Sequence, residues 1–405
     1  MNLLICSALV PYDKVSHAGG QAHNYYVKRL RKETGINIHL ITFAFFSEIE
    51  KVDLDKYNIS NTVIYLDKNI AAKIIRKVIT LFDRFFLWIK YAELISSYRK
   101  YKLWKELKKL KKKKYVPDII ELDWTQAIVF LPMIKNIYPD AKYCAVEHDV
   151  VFQRLEREYR NQSNIYKQLM TKLKYHGEKK MELSLLSKFD MVFTFNNKDK
   201  MLLENNGIHD SCIIAPVFKK ISFPVTTTKK NTILFYGSMN RSENYLSAIW
   251  FIKNVFSRME DMDISFIILG ATPHPSLLAY QNDKIIITGY QDDITPWFEQ
   301  AMCLVTPLVS GAGIKIKVLE ALAAGIPVLG NDIAVEGIDI TNNVEYFHCM
   351  TPEDYITTIK IILKEPDFAM SVGLAGQKYI NENYDSDKSF KDYVNNLYSL
   401  VKFTA

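Results

Sequence analysis

No stretch of 18 consecutive apolar residues occurs in the 405-residue chain, so no segment is expected to cross a bilayer as a helix. Cysteine is sparse: Cys6, Cys144, Cys212, Cys303 and Cys349 are odd in number and scattered, four of them in apolar runs that read as strands. That excludes a disulfide framework and paired metal ligands, and points to buried thiols of a reducing compartment. The eight histidines include no His-x3-His pair, and neither a Walker loop nor a Gly-x-Gly-x-x-Gly after a strand occurs. Leu308 stands where a Gly-x-Ser-x-Gly elbow around Ser310 needs its first glycine. The opening MNLLICSALVPYDK lacks a basic n-region and is expected to be a first strand rather than a leader.

What is present suffices for two ordinary domains. Hydrophobic residues make up 48% of the chain, and about 150 residues per domain is the usual size. Strand-like runs at 2–10, 36–43, 62–66, 118–122 and 142–146 alternate with helical patterns, the signature of a doubly wound parallel sheet. A second series begins at Thr232–Tyr236. Between them, FKKISFPVTTTKKN (218–231) loses periodicity and reads as a linker. Charge is uneven: Arg99 to Tyr115 holds ten basic residues against Glu106, a local +9 in a chain of net +7. Before it, Ile75, Val78, Leu81, Phe82, Phe85, Phe86, Trp88 and Ile89 recur at helical spacing. Together, residues 71–115 suit an anionic membrane surface. A core helix followed by a solvated lysine helix fits as well, whereas nucleic acid is not expected because groove-reading motifs are missing.

The chain is organised around Cys303 to Asp332, CLVTPLVSGAGIKIKVLEALAAGIPVLGND. A buried strand leads into a turn in which Gly311 and Gly313 let the backbone approach a ligand, followed by a helix that ends at Gly325. The first helical turn offers free N–H groups to an anion. Lys315 and Lys317 stand at that same end, where the helix dipole disfavours cations unless an anion is shared. Glu320, alone among small and apolar residues, is placed to accept two hydroxyl hydrogen bonds, as a ribose offers. Gly19 and Gly20 are expected to precede a helix and to repeat the anion-turn logic. His148 lies at the carboxyl end of the 142–146 strand, where open α/β sheets bind ligands, with Glu147 and Asp149 placed to orient its ring or cap the next helix. Gly237 ends the 232–236 strand, Asn240 or Ser242 is expected to cap the helix after it, and Arg241 is a bidentate donor between them.

GAGIKIKVLEALAAGIPVL resembles the donor-binding motif of group 1 glycosyltransferases of the GT-B fold, in particular those of bacterial surface-polysaccharide synthesis. The resemblance, specific over 231–340 and diffuse over 1–215, implies two Rossmann-like parallel-sheet domains facing across a cleft. The domains would be residues 1–217 on the acceptor side and 232–385 on the sugar-nucleotide side, with a helix at 386–405 crossing back. It implies that Glu320, the second glutamate of the family's Glu-x7-Glu motif, binds the donor ribose. It also implies that Arg241 meets the diphosphate, Tyr290 lies in the loop beside the base, Gly19 and Gly20 face the donor phosphates, and His148 stands near the transferred sugar. The motif's first glutamate falls on Ala312, a departure from the pattern. Asp-x-Asp pairs at 53–55, 261–263 and 385–387, the metal-binding signature of GT-A transferases, do not follow buried strands, and neither a metal nor a cofactor is expected. The expected activity is retaining transfer from a nucleotide-diphosphate sugar, UDP- or GDP-linked, to a glycan or lipid-linked acceptor, in the cytoplasm or peripherally on the inner face of its membrane. Two other readings stand beside it: a sugar-nucleotide epimerase, which needs additional acid/base carboxylates, and a basic membrane- or nucleic-acid-associated protein with a degenerate donor site.

Overall fold

A computed structural model describes residues 1–13, 15, 17–87, 96–160, 162–223, 231–311 and 313–402. Trp88, Ile89, Ala312 and residues 224–230 of the expected linker lie outside the described residues. The chain divides into two compact units, Met1–Ala215 with the C-terminal segment from Ser386, and Pro216–Asp385.

The first unit begins with β1 (Asn2–Ser7), α1 (Ala18–Leu30), β2 (Asn37–Ala44), β3 (Ser60–Tyr65), α2 (Ile70–Leu87) and α3 (Ser97–Lys112). It continues through β4 (Ile119–Asp123), α4 (Leu131–Lys135), β5 (Lys142–Glu147), α5 (Val151–Arg160) and α6 (Ile165–Leu186). β6 (Met191–Thr194), α7 (Asn197–Glu204) and β7 (Ser211–Ile213) complete its sheet. All pairings are parallel in the order β3-β2-β1-β4-β5-β6-β7, so the strand order reverses between β1 and β4. The central strands are apolar because helices cover both their faces. Leu3, Leu4 and Ile5 of β1 and Ile119, Ile120 and Leu122 of β4 are fully buried. β1 stops at Ser7, short of Val10.

The second unit holds β8 (Thr232–Tyr236), α8 (Ser242–Asn254), β9 (Ser265–Leu269), α9 (Pro275–Leu278), β10 (Ile285–Gly289) and α10 (Thr295–Gln300). It closes with β11 (Cys303–Thr306), α11 (Ile316–Ala323), β12 (Val328–Gly330), β13 (Phe347–His348), α12 (Pro352–Lys364) and α13 (Pro366–Asn383). Its parallel order is β10-β9-β8-β11-β12-β13, reversing between β8 and β11. α11 buries Val318, Leu319, Ala321 and Leu322 completely. α13 approaches it at two glycines: a Cβ on Gly373 would lie 2.4 Å from the Gly325 carbonyl, and one on Gly376 2.7 Å from Leu322. Gly325, at φ +71°, ends α11 as a left-handed stop.

α14 (Ser386–Lys402) belongs to the first unit. Its Tyr393 hydroxyl donates to Glu121 of β4, 272 residues away, and Leu397 is fully buried. Four of the five thiols are buried, Cys212 being half-exposed. Among the described residues no helix is long and apolar enough to cross a membrane.

Candidate functional site

In open α/β sheets ligands bind beyond the carboxyl ends of the strands where their order reverses. In the second unit those strands are β8 and β11. β8 ends at Gly237, whose φ of +155° only glycine holds without strain, and a Cβ there would lie 3.0 Å from Lys317 Nζ and 2.9 Å from Asn244 Nδ2. Lys317, in the first turn of α11, therefore reaches the turn between β8 and α8. Its Nζ donates to Asn244 Oδ1 at 2.5 Å and stands 4.9 Å above the Phe235 ring. Asn244 in turn donates to the Ser238 carbonyl at 2.8 Å. Burial lowers the Lys317 pKa to about 7; Glu243 opposes the shift, while Lys315 and Arg241 add to it.

Lys315 occupies the N-cap of α11 and folds over the preceding turn. Its Nζ donates to the Gly313 carbonyl, lies 3.7 Å from Glu336, and would crowd any Cβ on Gly311. Gly311 (φ +141°) and Gly313 (φ +68°) both take conformations that favour glycine. One turn into α11, Glu320 is 4% exposed and accepts the Lys219 N–H at 3.2 Å. Burial pushes its carboxyl up to about 7 against the neighbouring Lys219. Arg241 is the N-cap residue of α8 but makes no side-chain cap, and neither Asn240 nor Ser242 takes that position. Its guanidinium is largely exposed and pairs with Glu243 at 2.5 Å. Tyr290 is exposed just past β10, two strands away from β8.

The second unit thus gathers Gly237, Arg241 and Lys317 around one turn, and Gly311, Gly313 and Lys315 around the next, with Glu320 behind. Sequence reasoning missed Asn244, which holds Lys317, and Glu336, which faces Lys315. The signal for Glu336 was its place in VEGIDI, a polar residue in an apolar segment.

In the first unit the reversal falls between β1 and β4. Gly19 and Gly20 do not precede α1 but lie inside its first turn, where the Gly20 N–H is already capped by His17 Nδ1 at 3.0 Å. They are small for packing: a Cβ on Gly19 would lie 2.6 Å from Trp124, and one on Gly20 2.6 Å from the His17 ring. His148 sits at the carboxyl end of β5, its side chain 8% exposed. Asp123, the last residue of β4, orients it, with Oδ1 2.7 Å from His148 Nε2. His23 Nδ1 of α1 contacts the other oxygen, Oδ2. Burial alone would raise the Asp123 carboxyl; the two imidazoles, His23 foremost, hold it below the usual range. Glu147 is buried, and burial raises its carboxyl to about 8. The N–H groups of Val151 and Phe152, the first of α5, donate to Glu182 of α6 at 3.1 Å each. Asp123 could have been found by the rule that found His148, since both close a buried strand.

Residues 230–365 match the sequence model of the family Glycosyl transferases group 1. A protein encoded in the cps region of Klebsiella pneumoniae, uncharacterised and of 44.6 kDa, is 25% identical over 302 residues, spanning 71% of this chain and 74% of its own. The crystal structure of Anabaena HepE in complex with UDP superposes with a TM-score of 0.68 at 10% identity, covering 98% of this chain and 100% of that one. Sucrose-phosphate synthase of Thermosynechococcus elongatus gives 0.68 at 12% identity with both chains fully covered. Residues 230–365 thus form a group 1 glycosyltransferase domain, and the chain as a whole has the GT-B fold of two parallel-sheet Rossmann-like units.

Proposed function

We propose that the protein transfers a sugar, with retention and without a metal, from a nucleotide-diphosphate sugar to a glycan or lipid-linked acceptor in bacterial cell-surface polysaccharide synthesis. One observation carries the donor assignment: Lys317 Nζ, drawn from α11 into the Gly237 turn of β8, stands beside the glycine turn and Lys315 at the strand reversal. A departing nucleotide diphosphate needs its charge met by donors fixed before the reaction, and these cations with the nearby backbone N–H groups supply them. Glu320, buried and one turn away, accepts the ribose hydroxyls. HepE was crystallised with UDP and with UDP-glucose, which favours a uridine-linked donor here, and the cps-region relative favours a surface polysaccharide. The test is a thermal-shift panel of UDP-, GDP-, ADP-, dTDP- and CMP-sugars, followed by turnover of the one that stabilises. Lys317→Ala should lower the rate by roughly 10²–10³, EDTA should leave it unchanged, and the product anomer should match the donor's. A panel without any shift would sink the donor site.

The same enzyme works, in this proposal, docked on an anionic membrane. On α2 the residues Ile74, Val78, Leu81, Phe82, Phe85 and Phe86 are all more than half exposed, which favours a surface-docking helix over a core one. Asp83, the one buried residue of α2, accepts the backbone N–H and hydroxyl of Ser97 at 2.7 Å each, tying this helix to the start of α3 and its exposed lysines. Apolar rings beside a cationic helix fit an acyl boundary under anionic headgroups. Co-sedimentation with anionic vesicles, lost in Phe82→Ser/Phe85→Ser, is the check.

A further inference from the structure

Glu121 and Asp123 share one face of β4, a central strand otherwise filled with apolar residues, and both are buried. Carboxylates are expensive there unless something on the protein uses or satisfies them. Glu121 is kept on the protonated side: burial, then the Asp123 charge, raises it to about 8, and Tyr393 donates to it. Asp123 is ionised and has two partners, both imidazoles from other elements. An ionised carboxylate only accepts, so the His148 nitrogen that meets it, Nε2, carries the hydrogen.

The rest of the His148 ring is enclosed. The Trp124 indole stacks on one face, centroids 4.1 Å apart and planes 11° from parallel, and Phe195 lies at 4.9 Å. Trp124 holds this place at φ +86°, a conformation that costs a bulky residue strain and persists only where the surroundings fix it. His148 Nδ1 lies beside the first turn of α1, where a Cβ on Gly19 would stand 3.0 Å away. Glycine at position 19 therefore keeps a side chain off the ring nitrogen that carries the lone pair.

We propose that Asp123, backed by His23, is the positioning carboxylate of the transferase: it holds His148 as the Nε2–H tautomer, stacked on Trp124, so that Nδ1 is the nitrogen that meets the acceptor hydroxyl. This deepens the glycosyltransferase reading and rests on it. The proton on Nε2 stays with the pair throughout. In the transfer the acceptor oxygen bonds to the anomeric carbon as that carbon's bond to the nucleotide diphosphate breaks, and the departing diphosphate takes the acceptor's proton on the same face. Neutral Nδ1 accepts a hydrogen bond from the acceptor and orients it, while Asp123 fixes the ring through Nε2–H. The other titratable groups facing the pair are Tyr26 of α1, Glu121 of β4 and Tyr393 of α14.

The test uses the full chain with Asp123→Asn, which keeps the shape and removes the charge. The expected result is a fall in kcat of roughly 10²–10⁴ with donor KM within about threefold. The pH limb assigned to His148 should move to lower pH, since the imidazolium loses its counter-charge. A purely structural Asp123 would lower Tm and leave that limb in place. Independently of turnover, ¹⁵N spectra of the wild-type protein, assigned with His148→Gln, should show His148 as the Nε2–H tautomer. That measurement also decides the matter should Asp123→Asn fail to fold. A wild type that turns over no donor at all indicts the transferase reading; an active wild type with an Nδ1–H tautomer, or an Asp123→Asn enzyme with unchanged kcat and pH limb, overturns this proposal.

Discussion

Glu320 and Lys317 are both moved towards neutrality by burial, from opposite directions, to about 7. A ribose bound through its hydroxyls needs Glu320 ionised, so donor affinity should fall as pH drops below 7. A diphosphate needs Lys317 charged, so affinity should also fall as pH rises above 7. Each limb has the limiting slope of one proton, a tenfold change in Kd per pH unit, from linkage. Wild-type affinity should therefore peak near neutrality. Glu320→Gln should lose the acid limb and keep the alkaline one, and Lys317→Met the reverse; titration calorimetry between pH 5.5 and 8.5 reads both. A flat profile in the wild type, with donor bound, removes these residues from the ribose and diphosphate. At this scale the sequence was most legible where a residue offended its surroundings: Glu320 in an apolar helix, two lysines at the wrong end of a dipole. Asn244 was not legible, because a polar residue in the first turn of α8 looks like any helix start, and only the fold brings Lys317 to it.

Among elements, the strands were readable because parallel strands covered on both faces are near-continuous apolar runs, and their ends shifted by a residue or a few. The glycine pair at 19–20 was misplaced for a physical reason: glycine marks a turn and a close approach equally well, and here, within α1, Gly19 makes room for Trp124 and Gly20 for the His17 ring. Helix α2 shows the opposite difficulty. Its apolar spacing is the same for a core helix and an interfacial one, and only the exposure of Phe82, Phe85 and Phe86 separates them. If these rings enter an acyl boundary, half-burying each contributes about 1 kcal/mol, so Phe82→Ser/Phe85→Ser should weaken vesicle binding about thirtyfold. Each lysine near an anionic surface contributes about 1 kcal/mol. Neutralising Lys105, Lys108, Lys109 and Lys112 should therefore cost more than the two rings, and salt should mimic that loss but not the loss of the rings. Turnover of a soluble acceptor should be unchanged in both variants. Vesicle binding that survives both changes, or a dimer that the serine variant dissolves, would assign α2 to another partner.

For the molecule as a whole, the chain's last helix returns to its first unit, a non-local arrangement that no local pattern encodes. Helix α14 places Phe390, Tyr393 and Leu397, all nearly or wholly buried, against a unit whose other residues precede position 216. Phe390 and Tyr393 pack on Tyr26 of α1, with ring centroids 6.2 and 5.4 Å away, and Tyr393 also satisfies Glu121. Removing a large buried side chain costs about 3–5 kcal/mol, so three together match the 5–15 kcal/mol that holds an ordinary domain folded. A chain ending at Asp385 should consequently lose the cooperative melting of its first unit. The residues proposed to hold the donor, Gly237, Lys315, Lys317 and Glu320, all lie within 216–385, in a unit with a core of its own. The truncated chain should then still show the donor-induced thermal shift while turnover disappears. Differential scanning calorimetry with and without donor separates the two transitions. If the shortened chain retains both transitions, α14 is a surface brace and not part of the first unit's core; if it loses the donor shift as well, the second unit does not hold the donor by itself.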